Sequence, residues 1–131
     1  MEEYKIKTSV RFGADALGCL SQIQAEKVFI VTDPFMVESK MIERVTEPLK
    51  DRQYVVFSKV VPDPPLELVV EGVKEVMAFR PEALIALGGG SAIDEAKAIM
   101  HFADRLESYP IWNLLRCQPP AEQVRKLRLL P

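Results

Sequence analysis

"ALGGGSAIDEAKAI", residues 86–99, carries an apolar run into three successive glycines and out again into helical spacing. Ahead of the glycines, Ala83 to Leu87 is a short continuous apolar run starting after Pro81, the pattern of a strand buried on both faces of a parallel sheet. Behind them, Ala92 to Leu106 predicts a helix. In a parallel α/β sheet, ligands settle at such strand-to-helix junctions, where free amide groups point outward. Residues without a Cβ let the backbone touch an anion directly, and the helix start adds roughly half a positive charge. Gly88, Gly89 and Gly90 therefore read as a cradle for a phosphate or pyrophosphate. Ser91 and Asp94 have the S-x-x-D spacing of a capping box, so they either only cap the helix or also join the cradle. The glycines by themselves could equally serve a tight turn. No third glycine completes G-x-G-x-x-G and no G-K-S or G-K-T follows, so the local chemistry names an anion without saying which.

Outward from this junction, strands and helices alternate. Tyr4 to Val10 alternates polar and apolar residues like an edge strand, Phe12-Gly13 ends it, and a helix fits Asp15 to Gln24. Lys27 to Asp33 is a β-branched run closed by Pro34, a second buried strand. Val37, Met41, Ile42, Val45 and Leu49 predict one apolar face of a helix ending near Lys50-Asp51, and Tyr54 to Phe57 the next strand. Three prolines exclude regular structure from Val60 to Pro65, which delivers the chain to a helix through Leu66, Val69, Val70, Val73, Val76 and Met77, stopped by Pro81. The alternation predicts an α/β domain, a parallel sheet with helices on both faces. From Tyr109 onward Pro110, Pro119 and Pro120 interrupt the pattern. Asp33, at the end of a buried strand, is either a turn residue before Pro34 or an acceptor for ribose hydroxyls that repels a 2′-phosphate. A dinucleotide lying across the strand ends would satisfy both sites.

Bulk properties narrow the function further. The chain has 131 residues, 48% apolar and 27% charged, with a net charge of −2, so one domain with an ordinary core is expected. The charge offers no basic footprint for nucleic acid and no polybasic membrane patch. Its apolar runs are too short to span a bilayer and Met1-Glu2-Glu3 lacks a basic signal start, so a cytoplasmic location is expected. Cys19 and Cys117 belong to no C-x-x-C pair or zinc-ligand cluster and read as packing thiols. His101 is the only histidine, which excludes a site needing two imidazoles within one chain, and it reads as a helix-face residue.

Taken in order, "FGADALG" (12–18), "VFIVTD" (28–33), "VVPDPPLELVVEGV" (60–73) and "GGGSAIDEAKAI" (88–99) resemble the motifs of the iron-containing (group III) alcohol dehydrogenases, in their propanol and ethanol dehydrogenase flavour. That resemblance implies the Rossmann-like N-terminal domain of the dehydroquinate synthase-like fold over residues 1–112, binding NAD(P). It implies that Gly89, Gly90, Ser91 and Asp94 hold the pyrophosphate and neighbouring ribose, that Asp33 meets the adenosine ribose and favours NAD over NADP, and that Asp63 lies in the loop beside the nucleotide. Asp15 departs from the family, which often has glycine there. Family members are much longer, and a second, helical domain supplies an aspartate and three histidines for iron or zinc. This sequence offers no such ligands, so the chain alone is expected to lack hydride transfer between primary alcohols and aldehydes. A non-catalytic dinucleotide-binding or dimerisation module is the alternative. Loss of the second domain is expected to expose apolar surface and promote self-association through it or through an edge strand.

The family's next motif, P-T-T-S-G-T-G-S-E, is missing from the protein sequence. Residues 117–131, written in synonymous codons and read from the last nucleotide of the Cys117 codon, give P-T-T-S-G-T-G-S-E-V-T-S-F-A. Most of those nucleotides are fixed by the protein. The expectation is that one nucleotide was lost, or two gained, near Asn113 to Leu115. Residues 113–131 are then an irregular, out-of-frame tail in which the basic, apolar end has no designed role.

Overall fold

A computed structural model of the chain describes residues 9–107, 113–117 and 127–130, with side chains over 11–104. Six strands form one sheet: β1 (Ser9–Arg11), β2 (Lys27–Thr32), β3 (Gln53–Phe57), β4 (Ala83–Leu87), β5 (Asn113–Cys117) and β6 (Leu127–Leu130), in the order β1-β6-β5-β4-β2-β3. The run β3-β2-β4-β5 is parallel, whereas β6 is antiparallel to both β5 and β1. Every residue of β4 is buried, as are all residues of β2 after Lys27, which is why both read as unbroken apolar runs.

Side chains alternate between two core layers. On one face Phe29, Val31, Phe57, Leu84 and Ala86 pack beneath α3 (Leu66–Phe79) and α4 (Gly90–Glu107). On the other, Val28, Ile30, Ala83, Ile85 and Leu87 pack against Leu20, Met36, Val45 and Leu49. Helical segments therefore cover both faces. α3 ends as the proline signal requires, with Arg80 in the left-handed region closing its last turn onto Val76. Where α3 meets α4, Gly72 lets the two backbones approach: a Cβ there would lie 2.5 Å from Ile99 Cδ1.

Three expectations differ from what is observed. The segment expected as a helix from Asp15 is a 3-10 helix, Ala16–Gln22, burying only Ala16 and Leu20. The helix expected through Val37 to Leu49 is broken into α1 (Pro34–Glu38), α2 (Glu43–Thr46) and a 3-10 turn, Glu47–Leu49. Lys40 turns the chain at φ 61° between α1 and α2, and Pro48 has no amide proton with which to extend α2. Val45 and Leu49 still reach the core, but Val37 stays exposed. Finally, the tail expected to be irregular contributes β5 and β6: β5 pairs with the edge that β4 would otherwise leave open, and β6 extends the sheet by pairing with β5 and β1.

Candidate functional site

β2 lies inside the parallel run, with β3 on one side and β4 on the other. The chain thus reverses its direction of travel across the sheet between β2 and β4, and a crevice opens beyond the carboxyl ends of these strands. Three contacts gather the crevice around the last residues of β2. Thr32 Oγ1 donates to the Leu87 carbonyl at 2.8 Å, in the core. The Val60 amide donates to the Thr32 carbonyl at 3.3 Å, anchoring the proline-rich loop. Asp33 Oδ1 accepts from the Met36 amide at 2.9 Å, capping α1 with Pro34 at its first turn.

The resulting cleft has a volume of about 390 Å³. It is lined by three segments, Asp33 to Phe35 after β2, Val60 to Pro62 in the proline-rich loop, and Gly89 to Ala92 at the start of α4. The Ile93 amide donates to the Gly89 carbonyl at 3.3 Å, so Gly89 stands at the cap of α4. The amides from Gly89 to Ala92 precede the first turn's hydrogen bonds and are the donors a helix start leaves unpaired. Gly89, Gly90 and Ser91 are exposed to the cleft, and a Cβ on either glycine would meet nothing within 4 Å. An anion can approach these amides unobstructed. With Gly90 as the first residue of α4, Ser91 lies inside the helix and not at its cap, which leaves its hydroxyl outside the capping-box geometry.

The expected site residues therefore separate. Asp33, Gly89, Gly90 and Ser91 come together in one cleft. Gly88 is buried below it at φ 143°, where a Cβ would lie 3.0 Å from Ala92 Cβ and 3.2 Å from Asp33 Oδ2. Its glycine serves the turn and the close passage of the acid. Asp63, at φ 46°, is exposed one residue beyond the cleft wall, and Asp94 is exposed on α4 outside the lining. Asp33 serves the turn reading, since Oδ1 caps α1, while its Oδ2 lies next to the glycine turn. Phe35 was not expected in the site, and its only sequence signal is its position directly after Asp33-Pro34.

Elsewhere, His101 is exposed on α4 and sits edge-on to Phe102, with ring centres 5.6 Å apart. Cys19 is partly buried, and burial pushes its thiol upward against a smaller opposing pull from Arg11. Glu95, on α4, is 1% exposed with neither carboxylate oxygen hydrogen-bonded, and burial raises its pKa. No group of three or more His, Cys, Asp or Glu among the described residues could hold a metal. No described helix is long and apolar enough to cross a membrane.

The family model for iron-containing alcohol dehydrogenase matches residues 7–131. The chain belongs to that family. It is 34% identical over 104 residues to the 1-propanol dehydrogenase PduQ of Citrobacter freundii, covering 79% of this chain and 28% of that one. To the aldehyde-alcohol dehydrogenase of Streptococcus pneumoniae it is 37% identical over 112 residues, covering 82% of this chain and 13% of the relative. Among solved structures, the iron-containing alcohol dehydrogenase of Thermococcus thioreducens superposes with a TM-score of 0.64 at 28% identity, over 70% of this chain and 25% of that one. The NADH-dependent butanol dehydrogenase A of Thermotoga maritima superposes with 0.63 at 27% identity, over 76% and 26%. The chain thus spans between an eighth and about a quarter of the length of these relatives.

Proposed function

We propose that this chain is the NAD-binding domain of an oxidoreductase that interconverts primary alcohols and aldehydes. The observation that carries the proposal is the cleft at the strand reversal, where the unpaired amides from Gly89 to Ala92 stand beside the free oxygen of Asp33. The donor set fits a dinucleotide: amides at a helix start suit a diphosphate, and a carboxylate at the end of β2 suits ribose hydroxyls. Asp33 would disfavour a 2′-phosphate, so NAD is preferred to NADP. Gly89, Gly90 and Ser91 would hold the diphosphate. Asp94 and Asp63 are assigned to the rim, where they would contact the neighbouring ribose and the nucleotide's edge. When bound, the nicotinamide would supply the hydride-accepting ring. The residues of this chain bind and orient, and none of those described offers a set of metal ligands.

The chain alone is therefore proposed to bind cofactor without turning over alcohol, in a cytoplasmic setting. Residues 1–112 are assigned to the nucleotide-binding unit and 113–131 to a displaced reading frame. A largely apolar groove of about 330 Å³ between α3 and α4, with Leu66, Val70 and Phe102 exposed along it, supports self-association of two copies through that face. Calorimetry with NAD and NADH, followed by alcohol oxidation with added iron or zinc, tests the reading. The expected result is binding without turnover. Absence of binding overturns the site, and turnover by the isolated chain overturns the division of labour. Sedimentation at rising concentration reports the self-association, and a strict monomer would contradict it.

A further inference from the structure

We infer that the outer edge of β3 is a docking surface for a second copy of this chain, which adds its own β3 antiparallel and continues the sheet. Among the described residues β3 is the last strand on its side of the sheet. Its sequence, Gln53-Tyr54-Val55-Val56-Phe57, carries neither a charge nor a proline, the usual devices against edge pairing. One contact gives the direction of its free backbone groups. The Gln53 amide donates to the Glu26 carbonyl at 3.0 Å, so Gln53 turns toward β2. Backbone groups alternate in direction along a strand, so Val55 and Phe57 also turn toward β2. The N–H and C=O groups of Tyr54 and Val56 then point out from the edge, where an extended backbone can pair with them.

The two faces of the sheet fix the register. Val55 and Phe57 belong to the core layer beneath α3 and α4, and Val56 to the opposite layer. A two-fold pairing opposes residues of the same face only when it is centred on a residue, because a slip of one exchanges the faces. Centred on Val55, it overlaps the whole strand, with Gln53 opposite Phe57 and Tyr54 opposite Val56 of the second copy. Tyr54 and Val56, whose groups point outward, exchange their hydrogen bonds on either side of the axis. The exposed Tyr54 ring also covers a β-branched side chain across the strands, a favourable pair. The same register brings Asp51 alongside Lys59 of the second copy, and the axis repeats this contact of opposite charges. Both residues are exposed, and an ion pair with Glu71 holds Lys59 in place. Centring on Tyr54 or Val56 instead loses both the full overlap and the match of charges. The edge shares no residue with the groove between α3 and α4, so the two surfaces can associate independently.

Sedimentation of the whole chain up to about 1 mM tests this, because a short edge pairing makes a weak dimer. The measurements use a Val70→Glu background, which places a charge in the groove and silences association there; a dimer should persist. Adding Tyr54→Pro removes an outward N–H at an edge position that tolerates proline, and should weaken the dimer at least roughly tenfold while a cooperative urea transition is retained. Asp51→Lys and Lys59→Glu, each alone, set like charges side by side and should weaken it by roughly threefold or more, less so in high salt. An equal mixture of these two variants should recover the affinity, since every mixed pair restores both contacts of opposite charge. A chain that is monomeric once Val70→Glu is present overturns the β3 interface and leaves the groove standing. A dimer indifferent to Tyr54→Pro, or a mixture no tighter than either charge variant alone, also overturns it. A parent chain that is monomeric throughout removes both surfaces without touching the nucleotide cleft.

Discussion

Alanine at each of the three successive glycines separates a glycine that makes a turn from one that leaves room for an anion. Gly88 stands at φ 143°, with 3.0 Å from its would-be Cβ to Ala92 Cβ and 3.2 Å to Asp33 Oδ2. Backbone strain of about 1–3 kcal/mol adds to crowding of backbone-fixed neighbours, so Gly88→Ala should destabilise the fold by about 2–4 kcal/mol. Gly89 and Gly90 are outside the positive-φ region and their Cβ positions are open. Gly90→Ala should be neutral or stabilising by about 0.5–1 kcal/mol, because alanine loses less backbone entropy in a helix. Gly89→Ala should cost under about 1 kcal/mol, alanine being the poorer cap. Both methyl groups would stand where the diphosphate approaches. Loss of one charge-assisted hydrogen bond, about 1.5–3 kcal/mol, predicts NAD binding weaker by roughly 10- to 100-fold. Urea unfolding and calorimetry on the same three variants give the two axes. If Gly90→Ala unfolds more easily and binds NAD as tightly as the parent per folded molecule, the glycine turn is structural and the anion cradle is refuted.

Four further outcomes follow from particular contacts. Burial raises the Glu95 pKa, so the folded state holds that proton more tightly than the unfolded chain; its stabilisation is complete below the ordinary glutamate range and is lost as pH rises through the raised value. Glu95→Leu should flatten that pH dependence in urea titrations and raise stability near neutral pH by on the order of 1–3 kcal/mol, and an unchanged slope would contradict the assignment. Gly72→Ala gains about 1 kcal/mol of helix propensity but overpacks Ile99 by about 1–3 kcal/mol. With Cδ1 at 2.5 Å and Cγ1 at 2.9 Å from the new methyl, adding Ile99→Val should restore part of the loss, although alone it destabilises; additive effects would argue against the close approach. Asp33→Asn preserves the α1 cap and removes the charge, so the ratio of NADP to NAD affinity should rise roughly tenfold by calorimetry, and a constant ratio would mean the carboxylate does not face the ribose. Sequencing the coding DNA across codons 113 to 117 should reveal a displaced frame reading P-T-T-S-G-T-G-S-E downstream, and a gene without that hidden frame removes the reading of the tail.

What the sequence discloses depends on how locally each feature is determined. β2 and β4 are legible because burial on both faces demands consecutive apolar residues, and α3 because its face repeats without a break up to Pro81. The segment from Pro34 to Leu49 has the same spacing and is not one helix. Periodicity counts the separation of Val37, Met41 and Val45 but is blind to the reversal at Lys40, which lets Met36 and Val45 reach the core while Val37 does not. β5 and β6 depend on a strand edge left open far away in sequence, so no window within the tail contains the reason for them. In the site, three identical letters conceal different duties, because only φ and neighbouring atoms separate Gly88 from Gly89 and Gly90.

At Asp33 the observed capping role leaves room for the proposed binding role. An acid at the end of a buried strand invites a choice between helix cap and ligand acceptor, yet a carboxylate has two oxygens and the backbone claims only Oδ1. The cap then does work for the site, because it fixes the rotamer that leaves Oδ2 against the glycine turn. Thr32, one residue earlier, holds the end of β4 through its hydroxyl and the proline-rich loop through its carbonyl. Two consecutive residues thus bind together all three strand exits around the cleft. Hydrogen bonds to the backbone tie the exits together, so the dinucleotide binding proposed for this cleft would demand little reorganisation.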